Sequence, residues 1–175
     1  MKFLIFISAI IVFAAAHSSA QVTSVYTDLD ASKCKTLELD EEGGGLYRGE
    51  CKGVGGYKLH AVEGDLRQSI DVISPDGGKR QLKFWDVSSA FSSLGSKAEW
   101  RVRRGVPFAL IVRFNISEDP EDSSKITSLL VVSKITPDGS CVTDVVRPQA
   151  NQNVVARRLA DASASKPCKF PYEDE

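Results

Sequence analysis

His60 is one of two histidines in the chain, and the other, His17, stands at the end of an N-terminal apolar stretch. A serine or cysteine hydrolase would use such an imidazole as general base, with a nucleophile within hydrogen-bond reach and a carboxylate orienting the ring. No Gly-x-Ser-x-Gly elbow accompanies it. Lys58-Leu59-His60-Ala61-Val62 alternates like a strand with His60 on the polar face, so no catalytic residue is assigned. Glycosidase-type chemistry needs two carboxylates across a cleft. With 23 acidic residues the chain offers many arbitrary pairs. Glu63, Asp65 and Glu99 stand out because they sit near strand ends beside apolar or basic neighbours able to shift their pKa.

A third constellation is Trp100-Arg101-Val102-Arg103. On a strand, Arg101 and Arg103 project from one face and Trp100 and Val102 from the other. A guanidinium forks onto a carboxylate or phosphate, and beside aromatic surface it combines a directed charged contact with apolar burial. Internal ion pairing with Glu63, Asp65 or Glu99 is the competing use. The expected binding surface is therefore Trp100, Arg101 and Arg103 together with Glu63, Asp65 and Arg67 from the segment Glu63-Gly64-Asp65-Leu66-Arg67.

Other chemistries have less support. Gly43-Gly44-Gly45 and Gly53-Val54-Gly55-Gly56 are each followed by a strand pattern with no Gly-Lys-Ser/Thr ending, so they read as turns rather than phosphate loops. Asp28-Leu29-Asp30 and Asp40-Glu41-Glu42 lack the spacing of a calcium loop. Cys34, Cys51, Cys141 and Cys168 are too dispersed for zinc. No metal and no cofactor is assigned. Three disulfide pairings are formally available, and Cys34–Cys51 with Cys141–Cys168 is favoured because each closes a short loop. Asn115-Ile116-Ser117 matches a glycosylation sequon, which matters only in a source that glycosylates.

The elements that must position these residues are mostly strands. Short apolar or alternating runs bounded by Gly, Pro, Asp or Ser predict strands over 46–52, 57–62, 68–73, 81–85, 99–103, 108–116, 127–135 and 141–146. The near-continuous apolar runs 108–114 and 128–133 predict central strands covered on both faces. Ser74-Pro75-Asp76-Gly77-Gly78 and Thr136-Pro137-Asp138-Gly139 predict hairpin turns. The acidic, apolar-free stretch 117–124 predicts an exposed, mobile loop. Val154, Val155, Arg158, Leu159 and Ala162 fall on one helical face, with Asn151 as N-cap, and 87–94 suggests one helical turn. The fold class is α+β and β-rich: a single curved antiparallel sheet or partly open barrel with a C-terminal helix.

Of the 175 residues, 1–20 read as a signal peptide and 21–175 as a single secreted β-rich domain. Met1-Lys2 precedes a run from Phe3 to Ala16 that is apolar but for Ser8, and Ser18 and Ala20 supply small residues before Gln21. The run is shorter than the roughly 18 residues of a comfortable span, so no stable membrane anchor is expected after cleavage. Cysteines in an even number fit an exported, oxidised protein. Lys and Arg number 22 against 23 acids, a balance that predicts no attraction to nucleic acid.

Several segments carry a resemblance: Tyr26-Thr27-Asp28-Leu29-Asp30 before Cys34, Cys51-Lys52-Gly53-Val54-Gly55-Gly56-Tyr57, Glu63-Gly64-Asp65-Leu66-Arg67, and Leu94-Gly95 followed by Glu99-Trp100-Arg101. Together with Gly43-Gly44-Gly45 they resemble small uncharacterised exported proteins of Gram-negative bacteria. The resemblance implies a periplasmic location and assigns no activity. In size, export and architecture the chain is also similar to periplasmic lysozyme inhibitors, without a shared motif. The leading expectation is a non-enzymatic binding or interaction domain whose partner is another periplasmic protein. A small carboxylate-using hydrolase and a lysozyme-inhibitor-like protein are the rivals. Mass spectrometry of exported protein should find a chain beginning at Gln21; full-length protein in the membrane fraction would contradict the leader.

Overall fold

The computed structural model describes residues 21–40, 45–119, 121–122, 124–136 and 139–170. The expected leader, Glu41 to Gly44, Pro120, Ser123 and the Pro137-Asp138 tip of the second hairpin lie outside the described residues. Among the described residues ten strands follow one another: β1 Val22–Asp28, β2 Lys35–Asp40, β3 Leu46–Lys52, β4 Lys58–Gly64, β5 Arg67–Ile73, β6 Lys79–Gln81, β7 Ser92–Arg103, β8 Val106–Ser117, β9 Ile126–Thr136 and β10 Gly139–Val146. The helix α1, Gln152–Asp161, closes the order.

They form one open sheet, mostly antiparallel, in which β2 to β6 and β7 to β10 are two runs of sequential neighbours. A single parallel pairing, Arg67 with Ser92, joins β5 to β7, and β1 pairs with the far half of β7. The two runs share one core. Leu59, Ala61, Ile70 and Val72 of the first cluster with Trp100, Val102, Leu110, Val112, Phe114 and Val131 of the second. Phe84 meets Phe114 edge-on at 5.2 Å, and Tyr57 lies 6.1 Å from Trp100. The turn between β3 and β4 closes one end of this core. A Cβ on Gly53 would fall 2.4 Å from the Tyr57 carbonyl oxygen and 2.9 Å from the Trp100 ring, so only glycine fits there.

Alternation along β8 and β9 puts Leu110, Val112, Leu129 and Val131 into that core and Ala109, Ile111, Leu130 and Val132 onto the opposite face. This second face is covered by α1 through Ala156 and Ala160. The expected double-sided burial is present, and of the predicted helical face Val155 and Leu159 pack on this layer while Val154 is 61% exposed. The fully buried contacts are Ala156 and Ala160, small residues that let the helix backbone approach. Asn151 does precede the helix, in a left-handed conformation and without a side-chain cap. Gln152 does the fastening, donating from Nε2 to the carbonyls of Ser128 and Val146 at 3.0 Å each.

Both disulfides are as expected, Cys34–Cys51 and Cys141–Cys168. The second ties the segment after α1 to β10. Lys166 adds an ion pair to Asp144 at 2.7 Å, and the Lys169 amide donates to Val142 O at 2.7 Å. The Pro-Asp-Gly segment at 74–78 is a hairpin turn, with Gly77 N donating to Ser74 O. Four expectations are corrected. The predicted strand 81–85 breaks, because after β6 the chain leaves the ladder and Phe84–Asp86 makes one 3₁₀ turn that drives Phe84 into the core. The turn expected over 87–94 is absent, and Ser92 already begins β7. β1 and β2 are additional strands. β2 is exposed throughout, so it carries no burial pattern to read.

A buried charge network fixes α1. Arg101 grips Asp161 through Nε–Oδ1 at 2.7 Å and Nη2–Oδ2 at 3.0 Å. Arg157 donates to Glu99 Oε1 at 2.6 Å. Burial would raise the Glu99 carboxyl, but the hydrogen bonds from Arg157 and Ser24 and the Arg157 charge outweigh it and hold the group below its usual range. Arg101→Ala should cost about 1–2 kcal/mol, because half-exposed Asp161 loses its cation to solvent screening while buried Glu99 keeps Arg157. Denaturant titration measures the loss, and faster amide exchange should be concentrated in α1.

Candidate functional site

The two outer faces of the sheet differ. That of β7 to β9 lies under α1, whereas that of β3 to β5 carries a polar row. Register pairs Glu50 with His60, His60 with Asp71, and Asp71 with Gln81, so the four side chains stand abreast on one face. The opposite face of the same strands holds Cys51, Leu59 and Val72 in the core. Arg48, two residues before Glu50, belongs to the outer face by the same alternation.

Asp71 is the unusual member, a carboxylate only 1% exposed. Its Oδ2 is 3.6 Å from Lys79 Nζ, and its Oδ1 has no hydrogen-bond partner. Burial pushes its carboxyl above the usual range, against the opposing charges of Lys79, Arg48 and His60. Next to it, His60 Nδ1 is also buried without a partner, while Nε2 faces Glu50 Oε2 at 3.6 Å. Glu50 is satisfied by Lys58 at 3.0 Å, which holds it below the usual carboxylate range. Arg48 Nε is 3.6 Å from Glu38 Oε2 and makes no hydrogen bond.

Asp71, itself nearly sealed from solvent, lines a cleft of about 320 Å³ together with Arg48, Val62, Glu63, Arg67, Gln81 and Trp85. That volume is at the lower end of the roughly 300–1,000 Å³ usual for small-ligand sites. Trp85 stands at the cleft 40% exposed, held there because its neighbour Phe84 is anchored in the core. Arg67 is fixed on the rim: Nε donates to Ser89 O at 2.7 Å, Nη1 binds the backbone and carboxylate of Asp65, and the guanidinium lies 5.1 Å from the Phe91 ring. A second cleft of about 330 Å³, at the open end of the core, is bordered by Leu29, Tyr47, Glu63, Gln68 and Leu94. Its Tyr47 hydroxyl is buried without a partner, but both its carboxylates are engaged, Glu63 by Gln68 Nε2 at 2.5 Å and Asp30 by Ser32 N at 2.9 Å. The first cleft therefore holds the stronger unmet demand, a buried charged acceptor.

The sequence-predicted surface is divided. Glu63 and Arg67 border the Asp71 cleft, and Asp65 holds Arg67 from the turn between β4 and β5. Trp100 is completely buried, its Nε1 donating to Thr27 Oγ1 at 2.9 Å. Arg101 lies 8% exposed beneath α1, and Arg103 projects over Phe108 at 4.7 Å. These three are not brought together with the 63–67 segment. Asp71 and Trp85 were not singled out in the sequence. Alternation places Asp71 on the face opposite Ile70 and Val72, where an acid ordinarily meets water, so the sequence carried no sign of its burial.

Comparison with family models, curated proteins and solved structures finds no significant match. Among the described residues no group of three or more His, Cys, Asp or Glu side chains is arranged to hold a metal ion. Among them also, no helix is long and apolar enough to cross a membrane. The two disulfides fit an oxidising, extracytoplasmic environment.

The raised carboxyl of Asp71 has a thermodynamic consequence. A folded-state pKa above the unfolded one favours folding at low pH, and that contribution is lost as pH rises through the folded value. Asp71→Asn should therefore be more stable than the parent by about 1 kcal/mol at neutral pH. The gap should close as pH falls toward the ordinary carboxyl range. Paired urea titrations across pH check this, and a variant less stable at every pH would contradict it.

Proposed function

We propose that this is a non-enzymatic binding domain of the periplasm or extracellular medium, and that it receives a polar ligand in the cleft over Asp71. One observation carries the reading: a buried carboxylate oxygen without a hydrogen bond stands at a cleft already lined by fixed side chains. An unmet buried acceptor is an expense to the fold that a ligand donor would relieve. Arg67, tethered at three points, and Trp85, anchored through Phe84, need little ordering on binding, which limits the entropic loss. The leader grammar and the two disulfides support the extracytoplasmic location.

Trp85 supplies the readout, since the other tryptophan, Trp100, is sealed in the core. Emission should be followed while neutral and acidic sugars, amino acids, nucleotides and short peptides are added, with Trp85→Phe as the control. At least one class should shift or quench the emission saturably, and Asp71→Ala with an intact fold should lose the response. If no class moves Trp85, or if the active compound acts equally on Asp71→Ala, the reading fails.

A further inference from the structure

We propose that the ligand of this cleft is an acidic carbohydrate, a hydroxyl-bearing ring with a carboxylate substituent; this rests on the binding reading above. The charges around Asp71 select first. Lys79 Nζ lies 3.6 Å from Oδ2, and Arg48 borders the same cleft. An ammonium or guanidinium ligand brought to Asp71 would have to share the carboxylate with Lys79 and meet its like charge. The donor that Oδ1 accepts must therefore be neutral, and a hydroxyl is the compact neutral donor that fits a single acceptor. A negative charge on the ligand would be directed at Arg48 and Arg67 and away from Glu63, all of which border the same cleft.

These two requirements exclude simple alternatives. A free phosphate has anionic oxygens but would set them against the Asp71 carboxylate. A neutral sugar meets Asp71 but offers no anion to Arg48, whose Nε makes no hydrogen bond, or to the rim guanidinium of Arg67. An α-amino acid carries its anion beside an ammonium, the group that meets the like charge of Lys79. A sugar acid holds neutral hydroxyls and a carboxylate on one rigid ring, so both demands are met at once. The ring also explains Trp85. Its exposed indole gives the cleft an apolar border, suited to the C–H face that a saturated sugar ring turns away from its hydroxyls. The volume of about 320 Å³ suits a short oligosaccharide rather than a long chain threaded through a groove.

The test uses the mature, disulfide-bonded protein and short oligomers of galacturonate, mannuronate and glucuronate, each beside its own methyl ester. Glutamate and inorganic phosphate are the sugar-free anions. Binding is read from Trp85 emission and by calorimetry. At least one oligouronate should bind, at least tenfold tighter than its ester and than glutamate or phosphate. Arg48→Gln should weaken the acid tenfold or more while leaving ester binding within threefold, and Arg48→Lys should recover part of the loss. Asp71→Asn should weaken acid and ester alike. Equal binding of acid and ester, or binding of phosphate as tight as that of the uronates, overturns the acidic-sugar assignment. If an amino acid, nucleotide or peptide from the wider panel binds through Asp71 and no uronate does, the ligand class is wrong and the binding reading stands. If nothing in either panel moves Trp85, both fail.

Discussion

The arrangement of the molecule follows from one constraint: β8 and β9 are apolar on both faces. A strand pair of this kind cannot face water on either side, so it needs two covers of different origin. On one side the β2 to β6 run lays Leu59, Ile70 and Val72 against Val112 and Val131. On the other, α1 lies on Ile111, Leu130 and Val132 through its alanines. The charge network of Glu99, Arg101, Arg157 and Asp161 borders this second layer and sets where the helix rests, while the hydrophobic contact supplies most of the drive to bring it there. Cys141–Cys168 then keeps the chain beyond the helix on the same side.

With the single helix used on β7 to β9, the outer face of β3 to β5 is left to side chains. Glu50, His60, Asp71 and Gln81 form that surface, together with Arg48 and the rim residues Arg67 and Trp85. Most are paired or partly solvated. Asp71 is the most fully buried of them, desolvated by its neighbours without being fully satisfied by them, and His60 Nδ1 and Arg48 Nε likewise lack hydrogen-bond partners. Such a group weakens the fold unless something else gains from it, and local strain or unmet polarity of this type is concentrated at sites that bind or react. The cleft is accordingly where the molecule departs from its otherwise consistent patterning.

Much of the scaffold was legible in the sequence. Strong apolar runs gave the strands at 108–116 and 127–135 and their coverage on both faces, and short loops gave the disulfide pairing. β2 was not, because Lys35 to Asp40 is an exposed edge with no buried face to generate a period. The break after Gln81 was hidden because Leu82, Phe84 and Trp85 look like a continuing strand, although Lys83 adopts a left-handed conformation that turns the chain. The site was only half visible. Strand alternation correctly separated Trp100 from Arg101, and proximity in sequence could not show that Asp161, about 60 residues on, would claim that arginine. Likewise, His60 could be read as a polar strand residue, but the carboxylate beside it depended on the β4–β5 register, fixed by the two-residue turn at Asp65 and Leu66.

β1 introduces a different kind of dependence. Every other antiparallel pairing joins strands that are consecutive in the chain, and each can zip from its own turn. β1 alone must find a distant partner, with Val25 opposite Trp100 and Tyr26 opposite Glu99. Closing so long a loop is entropically unfavourable before the first contact is rewarded, and it needs β7 in place. The docking of this first-synthesised strand therefore belongs late in folding. A chain emerging into an oxidising compartment keeps this segment uncommitted until Lys97 to Arg103 have followed, and the speed of maturation is governed by that one closure rather than by the hairpins.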